Sequence, residues 1–381
     1  MVTDYILKHR DDDVAEFKID SSSNVEYVRI HNSEFSPVNT LSSEGSQLVS
    51  FNYWLSNRCI PNSREGIERL KLKYGIRDQR LMMLSQLGLS LSDHYWVDCK
   101  PFTNRWDSIN LFDNRYNDII GHVLFDSRFR IVDEGRLIEG HNPDLSTGGS
   151  LKKFWQYSND DGKSYLIKDG SEVNKQEPFN ELFASMLFDK LGFEHTPYSL
   201  NNIDGAWVSV CPCISDKKVE MVSADDLRLK YGFEKSYEGI AQIGRQKSLD
   251  TFTDSLNKMI IADYLVLNTD RHWQNFGILR DSFSGAWINA IPLFDNGYSL
   301  WNNYNVDPNS PSHSSSFADT NEDCLKYVDI RKYINSIPDM TSIFDKAFEL
   351  YENKDRKAKV RDGVLHRQRD YEIMLDRAYS T

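Results

Sequence analysis

The chain has 381 residues, of which 40% are hydrophobic, 27% charged and 12% aromatic. Such a composition suits a globular protein with ample core, either one two-lobed enzyme or two to three domains. A net charge of −12 argues against nucleic acid as the main partner, because phosphate backbones reward Lys and Arg. No run of about eighteen apolar residues is present to suggest a membrane span.

Residues 1–8 lack a basic start followed by an apolar stretch, so no signal peptide is predicted. The five cysteines, Cys59, Cys99, Cys211, Cys213 and Cys324, form an odd, scattered set. That fits a reducing cytoplasm better than a disulfide framework. Cys211-Pro212-Cys213 has no second Cys or His pair at ligand spacing, which favours a strand with small buried residues over a metal site.

Taken in order, residues 5–9, 14–19 and 25–30 alternate as short strands, with Asp11-Asp12-Asp13 and Ser21-Ser22-Ser23-Asn24 as the turns. A polar link, 36–45, leads to helical patterning with Phe51, Trp54 and Leu55 on one face. Ser63 is a fair N-cap for a second helix carrying Ile67, Leu70 and Leu72, and a third helix covers about 79–87. Residues 89–97 and 106–120 are mixed and aromatic, and His94 reads as structural. Residues 145–155 form a small-residue turn entering a strand, and 165–168 form the next strand.

Residues 177–192 are a helix, with Pro178 in its first turn and Gly192 at its end. Residues 206–211 read as a strand, and 223–256 hold a capped helix start and polar helical stretches. An apolar helix over 259–267 follows, then a hairpin of 277–280 and 286–291. Residues 302–319, rich in Asn, Ser and Pro, read as a mobile loop, either an activation segment or a plain surface loop. Helices over 328–336, 341–354 and about 362–377 close the chain.

The chemistry concentrates in Asn268-Thr269-Asp270-Arg271-His272-Trp273-Gln274-Asn275 and Phe294-Asp295-Asn296-Gly297. An acid, an amide five positions on and a second acid before glycine form the acid end of a phosphoryl-transfer site. One Asp orients or deprotonates the attacking hydroxyl, while the Asn and the second Asp hold Mg²⁺ on nucleotide phosphates. The Gly148-Gly149 turn has the shape of a loop whose backbone N–H groups cover phosphates, with Lys168 reaching them from a strand. It lacks the Walker A pattern. Glu181 is either the partner that orients Lys168 or a dipole-favoured surface acid.

In this order of parts, residues 140–380 resemble HipA-type kinases, and within them the CtkA-like proteins. The segments that carry the resemblance are 268–276, Asn180-Glu181 through Leu191-Gly192, and Phe294-Asp295-Asn296-Gly297. Residues 54–61 and 87–93 are similar to the N-terminal extension of CtkA-like proteins. The resemblance implies an α+β, two-lobed protein-kinase-like fold, with an N-terminal extension over 1–135, a small β-rich lobe over 136–215 and a helical lobe over 216–381.

It also implies a protein serine/threonine kinase using ATP and Mg²⁺. Asp270 would be the catalytic base, Asn275 and Asp295 the Mg²⁺ ligands, and Lys168 the α/β-phosphate contact with Glu181 as its partner. Gly148, Gly149, Ser150 and Lys152 fall in the phosphate loop. Ser146 and Ser150 are near the position at which HipA-type kinases phosphorylate themselves, but neither sits at the usual offset before the glycine. His272 would brace the catalytic loop or contact phosphate. Expected partners are a protein substrate and a cognate antitoxin or regulator, with no nucleic acid or membrane, in the cytoplasm.

Asp-Arg-His-x-x-Asn also occurs in phosphoinositide kinases, so a lipid or small-molecule kinase is the nearest alternative, followed by a catalytically silent nucleotide binder. Substitutions in the N-terminal segment are predicted to alter partner choice and leave the chemistry alone.

Overall fold

The computed structural model describes residues 3–76, 78–99, 104–125 and 140–380. The predicted boundary at 135/136 lies outside them. The chain divides into two units. The first comprises Met1–Ile167, Cys213–Phe233 and Leu279–Ile288, the second Lys168–Pro212, Glu234–Ile278 and Asn289–Thr381. Each therefore collects pieces from either side of the sequence boundaries.

The first unit opens with β1 (Thr3–His9), β2 (Asp12–Ile19) and β3 (Val25–Ile30), the three alternating stretches seen in the sequence. Then come α1 (Glu44–Asn57), α2 (Ile67–Tyr74), α3 (Gln79–Ser85), β4 (Tyr95–Cys99), α4 (Trp106–Ile109) and α5 (Ile119–Phe125). The first sheet has the order β3-β2-β1-β4, antiparallel throughout. Its apolar face buries Ala15, Phe17 and Ile19 against Phe51, Trp54 and Leu55 of α1, as the spacing of those residues requires. Ser63 does not cap α2. The cap is Gly66 at φ 86, with no side-chain hydrogen bond, because a tight turn from Pro61 to Arg64 occupies the preceding residues.

A buried ion network backs this sheet. Glu220 accepts from His9 Nε2 at 2.8 Å, from Arg280 Nε at 2.9 Å and from the backbone N–H of His94 at 3.0 Å. Burial opposes charge on Glu220, but Arg280 and His9 outweigh it and hold the carboxyl far below its usual range. His94 is fully buried, with Nε2 on Asp216 O at 2.8 Å, the structural role read from the sequence.

A 3-10 turn over Pro143–Ser146 leads into β5 (Lys153–Tyr157) and β6 (Ser164–Lys168). In the second unit, α6 (Glu177–Leu191) has Pro178 at its start and Gly192 in the left-handed conformation at its end. The antiparallel pair β7 (Ser199–Ile203) and β8 (Ala206–Pro212) follows, with Cys211 buried. The chain returns to the first unit for β9 (Val219–Ser223) and α7 (Ala224–Tyr231), capped by Ser223. It then supplies α8 (Tyr237–Gln246) and α9 (Thr251–Val266) to the second. The predicted hairpin is β10 (Gly277–Asp281) and β11 (Trp287–Ala290), in a sheet ordered β11-β10-β9.

The second unit closes with α10 (Asn321–Cys324), α11 (Met340–Ala347) and α12 (Lys354–Ser380). The helix predicted over 328–336 is replaced by two 3-10 turns, Leu325–Tyr327 and Ile330–Lys332. β-Branched Val328 and Ile330 and the breakers Asn335, Ser336 and Pro338 leave too short a stretch to nucleate an α-helix. α11 stops before Phe348, whose ring stacks on Phe344 and packs against Phe179 and Tyr351. Among the described residues no helix is long and apolar enough to cross a membrane.

Candidate active site

α9 leads directly into the Asp270 loop. Its buried face explains the apolar run, but one acid, Asp263, lies in that face at 2% exposure. A lone buried carboxylate demands a partner, and Arg271 supplies it. Arg271 Nε lies 3.1 Å from both Asp263 oxygens, and Nη2 lies 3.0 Å from Oδ1. Arg271 is itself fully buried. Burial works against its charge, but Asp263 holds the guanidinium above its ordinary range.

The same guanidinium spans two motifs. It donates to Asn275 O at 3.1 Å, to Phe294 O, and to Asn296 Oδ1 at 2.7 Å. It thus ties the Asp270 loop to the Asp295 segment. Leu267 ends α9 in the left-handed conformation at φ 57, which turns the chain sharply into the loop. Asn268 then donates to Asp263 Oδ1 at 3.1 Å and accepts the N–H of Asp270 at 3.0 Å. Asn275 Nδ2 donates to Asp270 O at 3.0 Å, so this bond engages the amide nitrogen and not Oδ1. His272 is half-buried, and its Nδ1 accepts the N–H of Gln274 at 3.3 Å.

Lys168 ends β6. Its Nζ lies 2.8 Å from Glu181 Oε1, 2.8 Å from Asp295 Oδ1 and 3.2 Å from Tyr198 Oη. Burial opposes the ammonium, but the Asp295 and Glu181 carboxylates outweigh it and raise Lys168 well above the lysine range. Glu181 is 2% exposed, so the surface-acid alternative is ruled out. Its second oxygen accepts the N–H of Asn296 at 2.7 Å. Asp295 has φ 57, a strained backbone of the kind that clusters at functional sites. Its N–H donates to Tyr198 Oη at 3.2 Å.

Helix α6 is bound to the same segment along its first turns. Asn180 Nδ2 donates to Gly297 O at 2.7 Å and Ser299 O at 2.8 Å, and Gln176 Nε2 donates to Leu300 O at 3.0 Å. A Cβ on Gly297 would lie 3.3 Å from Glu177 Cβ, so glycine permits this close approach.

The Asn- and Ser-rich segment after Asp295, predicted to be a mobile loop, packs on the Asp270 loop. Ser315 Oγ donates to Thr269 O at 3.0 Å, Asn321 Nδ2 to Asn268 O at 2.7 Å, and Trp273 Nε1 to Ser316 O at 3.0 Å. The ring of Phe317 sits against Trp273, Phe276 and Tyr237. Small polar residues read as loop in sequence because their partners are backbone carbonyls dozens of positions away.

Six predicted residues therefore converge in the second unit: Lys168, Glu181, Asp270, His272, Asn275 and Asp295. Gly148, Gly149, Ser150 and Lys152 lie in the first unit, where Gly149 has φ 87 and Lys152 Nζ lies 2.8 Å from Glu65. Sequence reading missed Asp263, Tyr198, Asn296, Ser315 and Asn321. Only Asp263 left a signal, as the one charge in the apolar run 259–267, eight residues before an Arg.

Residues 193–352 match the family model of phosphatidylinositol 3- and 4-kinases, a stretch that includes Asp270, Asn275 and Asp295. HipA from the toxin–antitoxin system of Shewanella oneidensis MR-1, solved with HipB and its operator DNA, superposes with a TM-score of 0.58. That match covers 99% of each chain at 10% identity. The chain has the HipA kinase-like fold. The Helicobacter pylori proinflammatory kinase CtkA matches with a TM-score of 0.47 and 19% identity, over 60% of this chain and 94% of that one. Comparison with curated protein sequences gives no match.

Proposed function

We propose that this chain is an ATP-dependent protein serine/threonine kinase. The observation that carries the reading is the Lys168 ammonium held between Glu181 and Asp295, with Arg271 joining the Asp295 segment to the Asp270–Asn275 loop. A preorganised cation beside two carboxylates suits charge neutralisation on nucleotide phosphates.

In this reading the Asp270 carboxylate orients the acceptor hydroxyl and takes its proton. The hydroxyl oxygen bonds to the γ-phosphorus of ATP, the bond from that phosphorus to the bridging oxygen breaks, and ADP leaves. Lys168 binds the phosphate oxygens. Asn275 Oδ1 and the Asp295 carboxylate are hard oxygen donors suited to Mg²⁺, which when bound neutralises phosphate charge. His272, with Nδ1 occupied inside the loop, braces the turn.

Purified protein incubated with Mg²⁺ and γ-³²P-labelled ATP, alongside Asp270→Asn, tests the proposal. Label on the protein itself or on protein substrates, with wild type only, is the expected result, and peptide mapping would examine Ser146 and Ser150. A second reading, phosphoinositide kinase, is favoured by the family match over 193–352. Label appearing only on phosphatidylinositol vesicles would support it over the first. ATP binding without transfer to protein or lipid would overturn both in favour of a silent nucleotide binder.

A further inference from the structure

Arg64 precedes α2 and is 1% exposed. Its guanidinium is spent on the glycine turn. Nε donates to Gly149 O at 2.7 Å, Nη2 to Thr147 O at 2.8 Å and Gly148 O at 2.6 Å, and Nη1 reaches Lys153 O at 3.5 Å. The next residue joins in. The N–H of Glu65 donates to Ser150 O at 3.3 Å, and its carboxylate pairs with Lys152 at 2.8 Å. Deeper in, Asp144 accepts the N–H of Trp155 at 2.9 Å and lies in the field of Arg64.

A trans peptide points its C=O and the following N–H in opposite directions. Three successive carbonyls, of residues 147, 148 and 149, turn toward Arg64. The N–H groups of Gly148, Gly149 and Ser150 must therefore face the other way. Among the described residues none of these three N–H groups donates to a protein acceptor. Successive amides left pointing to one side form a concave anion site.

We infer that Arg64 is a positioning residue for a phosphate-binding loop. By holding the carbonyls of residues 147–149 on one side, it presents the amides of Gly148, Gly149 and Ser150 to the phosphates of a nucleotide. The inference rests on the kinase reading, and it gives the N-terminal segment a role in phosphate binding, against the expectation that substitutions there spare the chemistry. Arginine is suited to this because its planar fork spreads donors over three nitrogens, Nε, Nη1 and Nη2, each aimed at a different carbonyl, whereas a lysine ammonium carries its donors on one atom.

The test is isothermal titration of the full chain with Mg²⁺-ATP and, separately, with adenosine. The variants are Arg64→Lys, which keeps the charge, and Gly149→Ala. The second keeps Arg64 but places a Cβ at φ 87, 2.3 Å from Lys153 Nζ. Each variant should lose about tenfold or more in ATP affinity, the worth of one or two hydrogen bonds, while adenosine binding stays unchanged. The KM for ATP should rise in step.

A merely structural role would weaken ATP and adenosine together. That outcome, or an unchanged ATP affinity in both variants, overturns the inference. Should Arg64→Lys fail to fold, Gly149→Ala decides. A wild type that binds no ATP sinks the kinase reading itself, whereas a wild type that binds ATP with an unaltered ATP-to-adenosine ratio in the variants sinks Arg64 alone.

Discussion

Lys168 and Asp295, 127 positions apart in the chain, meet at 2.8 Å. Glu181 completes the contact from α6, and the three charges are not equivalent. Asp295 is a third exposed, whereas Glu181 is at 2%. Asp295→Asn should therefore leave the fold intact, with Lys168 still paired to Glu181, while abolishing phosphoryl transfer. Lys168→Met should abolish transfer and also destabilise, since it strands a buried carboxylate, at about 3–5 kcal/mol. Thermal melts beside the labelling assay separate the two.

The Arg271–Asp263 pair predicts a different pattern. Neither residue is expected to touch substrate, yet the loop hangs on them. Asp263→Ala should cost about 3–5 kcal/mol because it leaves Arg271 charged, buried and short of its main partner. Urea unfolding would measure this, and a loss below about 1 kcal/mol would show that the pair contributes little.

Asp144 makes stability depend on pH. Burial pushes its carboxyl from 3.8 up to about 7. A carboxyl raised in the folded state binds its proton more tightly there than in the unfolded chain. Its contribution is present in full below pH 3.8 and is lost as pH rises to about 7. The size is at most about 4 kcal/mol. Asp144→Asn keeps an oxygen for the Trp155 N–H and removes the titration. Its melting temperature relative to wild type should be more favourable at pH 8 than at pH 5, and an equal difference at both values would refute the assignment.

Ser315 and Asn321 brace the carbonyls of Thr269 and Asn268, immediately before Asp270. Ser315→Ala should lower kcat for transfer with little change in the KM for ATP, because the nucleotide contacts lie elsewhere. Ser315→Thr should restore much of the rate by returning the hydroxyl. A Ser315→Ala enzyme with wild-type kcat would remove the brace from the account.

Much of the fold is legible in the sequence. β1, β2 and β3 and helix α6 follow from alternation, a Pro-first and Gly-last helix and strong apolar faces, all signals carried by neighbouring residues. Asp270, Asn275 and Asp295 stand out as candidates because their spacing is itself a chemical pattern. Ser63 failed as a cap, and the helix over 328–336 failed to form, because local propensities of a few tenths of a kcal/mol yield to a turn or to packing.

The sequence by itself determined the helix and strand types around the site, the acid–amide–acid order and the identity of Lys168. Only the tertiary structure decided that Glu181 is a buried partner, that Arg271 joins two motifs, that the polar segment around Ser315 packs on the Asp270 loop, and that Arg64 donates to the carbonyls of the glycine turn. The reason is physical. Periodicity and capping act over a few residues, whereas a buried charge is satisfied by whichever group the fold brings within about 3 Å, and that group leaves no mark on the sequence beside it.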